Sequence, residues 1–172
     1  MSEAMESPSV EGLNAWRMEA RPGEAKGVMQ ELLEAAKKTG AEVLIVDGKL
    51  VFGWEHLASA IFHARKAIAE GRNSSESLAM ESLLYASGER QLSSAIKKMS
   101  VSDATSSIVV VHLEGGALYL GKEWEPLPKT FAPERDDLIQ YGISGSELST
   151  VDSGRHADLV LERVAAVDVI KK

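Results

Sequence analysis

There is no cysteine anywhere in the 172 residues. That removes disulfides, thiolate metal sites and cysteine nucleophiles together, and it fits a reducing interior. Aromatic residues make up only 5% of the chain, too few for the stacking platform on which single-strand-binding folds lay successive bases. No apolar run approaches the roughly 20 residues that span a bilayer. The opening MSEAMESPSVEG is acidic and polar, without the apolar centre of a secretory signal. Residues 1–12 therefore read as a frayed tail with little to bury, ahead of one domain over 13–172. A soluble protein is expected, in the cytoplasm and also in the nucleus if the source is a eukaryote.

The signatures of chemistry are missing as well. No serine sits in a GxSxG elbow, there is no GxxxxGK[ST] loop, and Gly115-Gly116 lacks the spacing of a dinucleotide fingerprint. His56 and His63 share a helical face but are about 10 Å apart along the axis at 1.5 Å per residue. No HExxH set accompanies them, so a zinc site is not expected, and His63 beside Arg65 and Lys66 reads as part of a polar rim. Asp136 and Asp137 point about 100° apart on a helix and read as a solvated first turn. With no catalytic constellation, metal or cofactor site in view, the protein is expected to work by binding.

What is present is an ordinary globular mixture, 44% apolar and 26% charged, with a net charge of −7. An acidic total argues against indiscriminate attraction to nucleic acid. Between Ile61 and Ser100, however, six basic residues face four acidic ones, which leaves the rest of the chain at −9. A solvated helical face gives the same count.

Periodicity supplies the elements of a mixed α/β domain, a small central sheet flanked by helices. LNAWRMEA (13–20) alternates like a strand, and residues 21–40 read as a helix stopped by Gly40. AEVLIVDG (41–48) has the composition of a strand covered on both faces. A helix ending at Gly71 follows, with Leu57, Ile61, Ala64 and Ile68 on its buried face and Phe62 widening it. The next helix is expected from Ser74 or Ser75, with Glu76 in its first turn and Met80, Leu83 and Leu84 buried. Leu92, Ile96 and Met99 resume the pattern. Ile108–Leu113 is the clearest strand, and Ala117–Leu120 is a candidate to pair back across Glu114-Gly115-Gly116. A short helix at 134–141, a capped turn at ISGSELS and a closing helix with Leu159, Val160, Val164 and Val167 inward complete the pattern.

The stretch LLYASGERQLSSAIKKM (83–99) does not fit this scheme so simply. Leu84, Gly88, Leu92 and Ile96 are spaced by four, as if one helix continued, yet Gly88 interrupts it. A left-handed glycine breaking the rod in two is the favoured reading. The polar joint Glu89-Arg90-Gln91 is then either helix-end capping or a working surface. Arginine, asparagine and glutamine grip phosphates and base edges together, which makes Arg65, Lys66, Arg72, Asn73, Gly88, Arg90 and Gln91 the candidate binding residues.

His56-Leu57 opening a helix, the Gly71-Arg72-Asn73 ending, Glu81-x-Leu83-Leu84-Tyr85 and Gly88-x-Arg90-Gln91 before Ala95-Ile96 occur in linked order. Over residues 43–115 this order resembles the PRPK-binding (TPRKB) family, the small accessory subunit of the KEOPS complex. Relatives usually carry a more apolar pair where this chain has Ser74-Ser75. The resemblance implies a single-domain mixed α/β fold and a non-catalytic role in threonylcarbamoyladenosine synthesis. It also implies direct binding to the atypical kinase/ATPase subunit, indirect association with the remaining KEOPS subunits, and capture of tRNA by its 3′ CCA end. On this reading the Gly88 junction lies beside Arg72 and Asn73 and meets the unpaired tRNA end. Val169 and Ile170, where the apolar pattern runs on, are candidates for the kinase contact, with ordinary end-of-helix packing as the plainer account. A protein–protein adaptor that regulates the kinase without touching RNA is the nearest alternative. An enzyme with an unrecognised small-molecule site is the third.

Overall fold

A computed structural model describes residues 14–129 and 133–171, so the tail expected at residues 1–12 lies outside the described residues. The described residues divide into two compact units, 14–49 with 100–129 and 50–99 with 133–171. Each is made from two separate stretches, so neither could be cut out as one continuous segment.

The first unit holds the sheet. Strands β1 (Asn14–Glu19), β2 (Glu42–Asp47), β3 (Ser107–Glu114) and β4 (Glu125–Pro126) lie in the order β2-β3-β1-β4, every neighbouring pair antiparallel. Helix α1 (Ala25–Thr39) stops at the left-handed Gly40. Its Leu32 and Ala36 pack in one core with Trp16, Met18, Val43, Ile108, Val110, Leu118, Leu120 and Trp124. Side chains alternate along a strand, so Val109 and Val111 belong to the opposite face of β3, and they are buried too. Coverage on both faces thus agrees with the composition of these strands. The mixed α/β class read from periodicity is the one observed.

One expected strand is absent. Ala117–Leu120 does not pair back on β3, because both edges of β3 are already taken, by β1 and β2. The carbonyls of Gly116 and Ala117, where the segment begins, are engaged by side chains. His112 Nε2 lies 2.8 Å from the Gly116 carbonyl, and the Thr39 hydroxyl donates to that of Ala117 at 2.7 Å. Leu118 and Leu120 meanwhile fill the core. A side chain at Gly116 would run into the Thr39 carbonyl, so the glycine serves a close approach of two backbones.

The second unit is helical: α2 (Trp54–Ala69), α3 (Leu78–Ser87), α4 (Leu92–Met99), α5 (Arg135–Tyr141), α6 (Gly145–Leu148) and α7 (His156–Ile170). Helix α3 packs against α2, α4 and α7. All of its residues except the half-buried Met80 are buried, which explains why it shows no polar face.

Helix α3 starts later than expected. Ser77 caps it, accepting from the Met80 amide at 3.2 Å, and Glu76 precedes it. The reason is Glu81, whose Oε1 takes the amides of Ser74 and Ser75 at 2.9 Å each and holds those residues in a loop. Helix α4 buries Ala95 and Met99 and leaves Ile96 40% exposed. The break at Gly88 turns α4 out of the phase that a continuous rod would have kept. Leu159, Val160, Val164 and Val167 of α7 are buried as expected, and the ISGSELS turn is a capping box between Ser144 and Glu147.

Candidate functional site

The end of α3 can be accounted for group by group. An α-helix leaves its last four carbonyls without partners inside the helix. Here the Ser87 hydroxyl donates to Leu84 O at 2.8 Å, and the Gly88 amide donates to Tyr85 O at 3.1 Å. Ala86 O receives the Tyr141 hydroxyl at 2.7 Å and faces His56 Nε2 at 2.8 Å. Ser87 O receives Lys98 Nζ at 2.5 Å. His56 Nδ1 accepts the Phe52 amide at 3.2 Å, so its proton sits on Nε2 and is donated to Ala86.

His56 and Tyr141 are sealed from water and Lys98 is half-buried, and their acidities follow. Burial lowers the His56 pKa to about 4, against the opposing hydrogen bond to Ala86, so the ring stays neutral. Burial raises the Tyr141 phenol and lowers Lys98, whose pairing with Glu89 at 3.3 Å works the other way. Lys98 Nζ also lies 3.9 Å from the centre of the Tyr141 ring.

Gly88 takes φ 71°, the left-handed break read from the sequence. A Cβ there would stand 3.2 Å from both the Tyr141 hydroxyl and the Arg163 Cβ. The turn is thus flanked by Tyr141 and Arg163, and Arg90 and Gln91 leave it exposed. Neither is used to finish α3, because other residues already satisfy its carbonyls. The Gln91 carbonyl accepts the Ala95 amide at 3.1 Å and opens α4.

The remaining candidates are not gathered at this turn. Arg72 and Asn73 sit in the loop before α3, while Gly88, Arg90 and Gln91 follow its end. Ten helical residues, rising about 15 Å, separate the two groups along the backbone. The Arg72 head group nevertheless shares Asp168 with Tyr85, a residue of the last turn of α3. Arg72 is bonded to Glu70 at 2.7 Å and to Asp168 at 3.1 Å, and both carboxylates raise its pKa. Asn73 donates to Ser75 O at 2.9 Å. On α2, Arg65 is half-buried and Lys66 exposed. His63 is no loose member of a rim: it stacks on Tyr85 and lies 3.0 Å from Asp168.

Val169 is 86% exposed and takes little part in end-of-helix packing, while Ile170, 39% exposed, is covered over most of its surface. Sequence reasoning missed a third apolar residue, Phe62, assigned to the buried face of α2 but 55% exposed. Its neighbour His63 bonds to Asp168, the residue before Val169. Also missed was the ion pair of Lys171 with Glu81, 2.8 Å long, with side chains 7% and 0% exposed. No local pattern marks it, since the partners are 90 positions apart.

The first unit has a cavity of about 660 Å³ lined by α1 and by residues 119–124. Glu19, Glu24, Glu31 and Glu123 border it with Arg21, a balance that repels phosphate. Among the described residues there is no cluster of His, Asp or Glu able to hold a metal, and no helix is long and apolar enough to cross a membrane.

Comparison with known proteins agrees with the resemblance read from residues 43–115. The family model described as kinase binding protein CGI-121 matches residues 23–149. The EKC/KEOPS complex subunit CGI121 of Coccidioides immitis (strain RS) is 21% identical over 166 residues, covering 77% of this chain and 80% of that one. A family match spanning well over half of the sequence places the chain in the kinase binding protein CGI-121 family.

Proposed function

We propose that this protein is a non-catalytic subunit of a KEOPS-type complex. It binds the complex's kinase and recruits tRNA through the single-stranded 3′ CCA end for threonylcarbamoyladenosine synthesis. The family's description and the relative's name support the kinase and complex parts. The observation that carries the RNA part is the Gly88 turn. It holds Arg90 and Gln91 out in solvent although the carbonyls ending α3 are satisfied by His56, Tyr141, Lys98 and the turn itself. An arginine and an amide on a rigid turn suit an unpaired strand, one contacting phosphate and the other a base edge. Arg72, Asn73, Arg65 and Lys66 extend the same reading towards the far end of α3. An acidic protein binding through so few cations has a shallow salt dependence.

The kinase contact is assigned to Val169 and Ile170, extended by Phe62 on the neighbouring helix α2. Large apolar side chains left exposed together are what a protein partner covers.

The deciding experiment titrates labelled tRNA, intact or lacking its CCA, with the purified chain. Binding lost with the CCA supports the reading. Equal binding places the RNA elsewhere on the protein. No binding to either leaves the adaptor that contacts the kinase alone.

A further inference from the structure

The last turn of α7 presents two chemically opposite sides. Val169 points to solvent and Ile170 is partly open to it, while Asp168 and Lys171 are held inward against α3 and the loop before it. Lys171 Nζ reaches Glu81 Oε2 at 2.8 Å and lies 4.9 Å from the centre of the Tyr85 ring. The other oxygen of Glu81 takes the Ser74 and Ser75 amides, so one carboxylate joins the end of α7 to the loop. Asp168 makes the second connection. It accepts from the Tyr85 hydroxyl and pairs with His63 at 3.0 Å and with Arg72 at 3.1 Å. Loop residues 72–75 therefore have two anchors on a single helical turn, and that turn also carries the exposed apolar pair.

A buried ion pair of this kind is weak evidence for added stability, because desolvation offsets much of the attraction. What it does supply is a fixed geometry: one Glu81 carboxylate binds the loop amides through Oε1 and Lys171 through Oε2. The Arg72 and Asn73 side chains are placed by the same arrangement.

Building on the functional reading above, we propose that this turn is a latch coupling the two binding surfaces. A partner seated on Val169 and Ile170 immobilises the end of α7. Through Lys171–Glu81 and Asp168–Arg72 it thereby immobilises the loop that offers Arg72 and Asn73 to RNA. Lys171, Glu81 and Asp168 are positioning residues, acting through the loop without touching RNA. Coupling of this kind is reciprocal, so tRNA tightens kinase binding by the same factor as the kinase tightens tRNA binding.

The test uses the full chain as wild type, Lys171→Met, Lys171→Arg and Glu81→Gln, each confirmed as folded by thermal denaturation. Amide hydrogen exchange at Ser74 and Ser75 is read first. Intact tRNA is then titrated with and without saturating cognate kinase subunit. In the wild type the kinase is expected to tighten tRNA binding about tenfold, within the usual range of coupling, and to slow exchange at both serines. In Lys171→Met and Glu81→Gln the serine amides exchange faster and the kinase-dependent gain falls towards onefold, although the kinase still binds. Lys171→Arg restores both. Unchanged exchange in Lys171→Met, or an undiminished gain, overturns the latch. A wild type that binds tRNA equally well with and without kinase overturns the latch alone. A wild type that binds no tRNA overturns the functional reading, and the coupling with it.

Discussion

The hydroxyl of Tyr141 donates to the Ala86 carbonyl at 2.7 Å, tying α5 to the last turn of α3 across 55 positions of sequence. The same hydroxyl would stand only 3.2 Å from a Cβ at Gly88, a crowded approach. One phenol therefore finishes a helix and crowds the position that follows it, where the left-handed backbone already favours glycine.

Gly88→Ala is expected to destabilise the protein. The left-handed backbone costs a residue with a Cβ about 1–2 kcal/mol, and the 3.2 Å approaches to Tyr141 and Arg163 add to it. A loss of about 2 kcal/mol or more in urea unfolding is the predicted result. A neutral outcome would mean that the turn can relax and is not pinned.

His56 makes stability depend on pH in a defined window. Its folded pKa is lowered from 6.5 to about 4, so the unfolded chain takes up the proton first. Stability is complete above about pH 6.5 and falls as the pH drops towards 4, by about 3 kcal/mol in total from this group. Asp168, whose carboxylate is stabilised by Tyr85, Arg72 and His63 against its own burial, acts lower, with stability lost as the pH falls below the ordinary carboxylate range. His56→Gln should flatten the unfolding free energy between pH 6.5 and 4 and leave the more acidic limb in place. An unchanged slope would show that the ring titrates normally.

Two surface changes should separate the proposed partners. Arg90→Ala is expected to weaken tRNA binding several-fold with the melting temperature held, because the side chain is exposed and α3 is capped without it. A large fall in melting temperature would return Arg90 to a capping role. Ile170→Arg should abolish co-elution with the kinase and leave free-chain tRNA binding intact. Unchanged co-elution would remove the end of α7 from that interface.

Much of this architecture was legible in the sequence because it is local. Hydrophobic period marked α1, α2, α7 and β3, and the glycines at 40 and 88 marked where helices stop, since a positive φ is a property of single residues. The break within residues 83–99 and the four buried residues of α7 were readable for the same reason. What the tertiary structure decided is which groups meet. The start of α3 moved to Leu78 because Glu81 captures two amides ahead of it, and Ala117–Leu120 gave up its strand because β1 and β2 already pair with both edges of β3. Phe62 and Ile96 face solvent although their spacing reads as core, because packing against neighbouring helices fixes the phase of a helix. Lys171 and Glu81 are two ordinary surface residue types in the sequence. Only the fold, by removing both from water at 2.8 Å, makes them a contact that has to be satisfied.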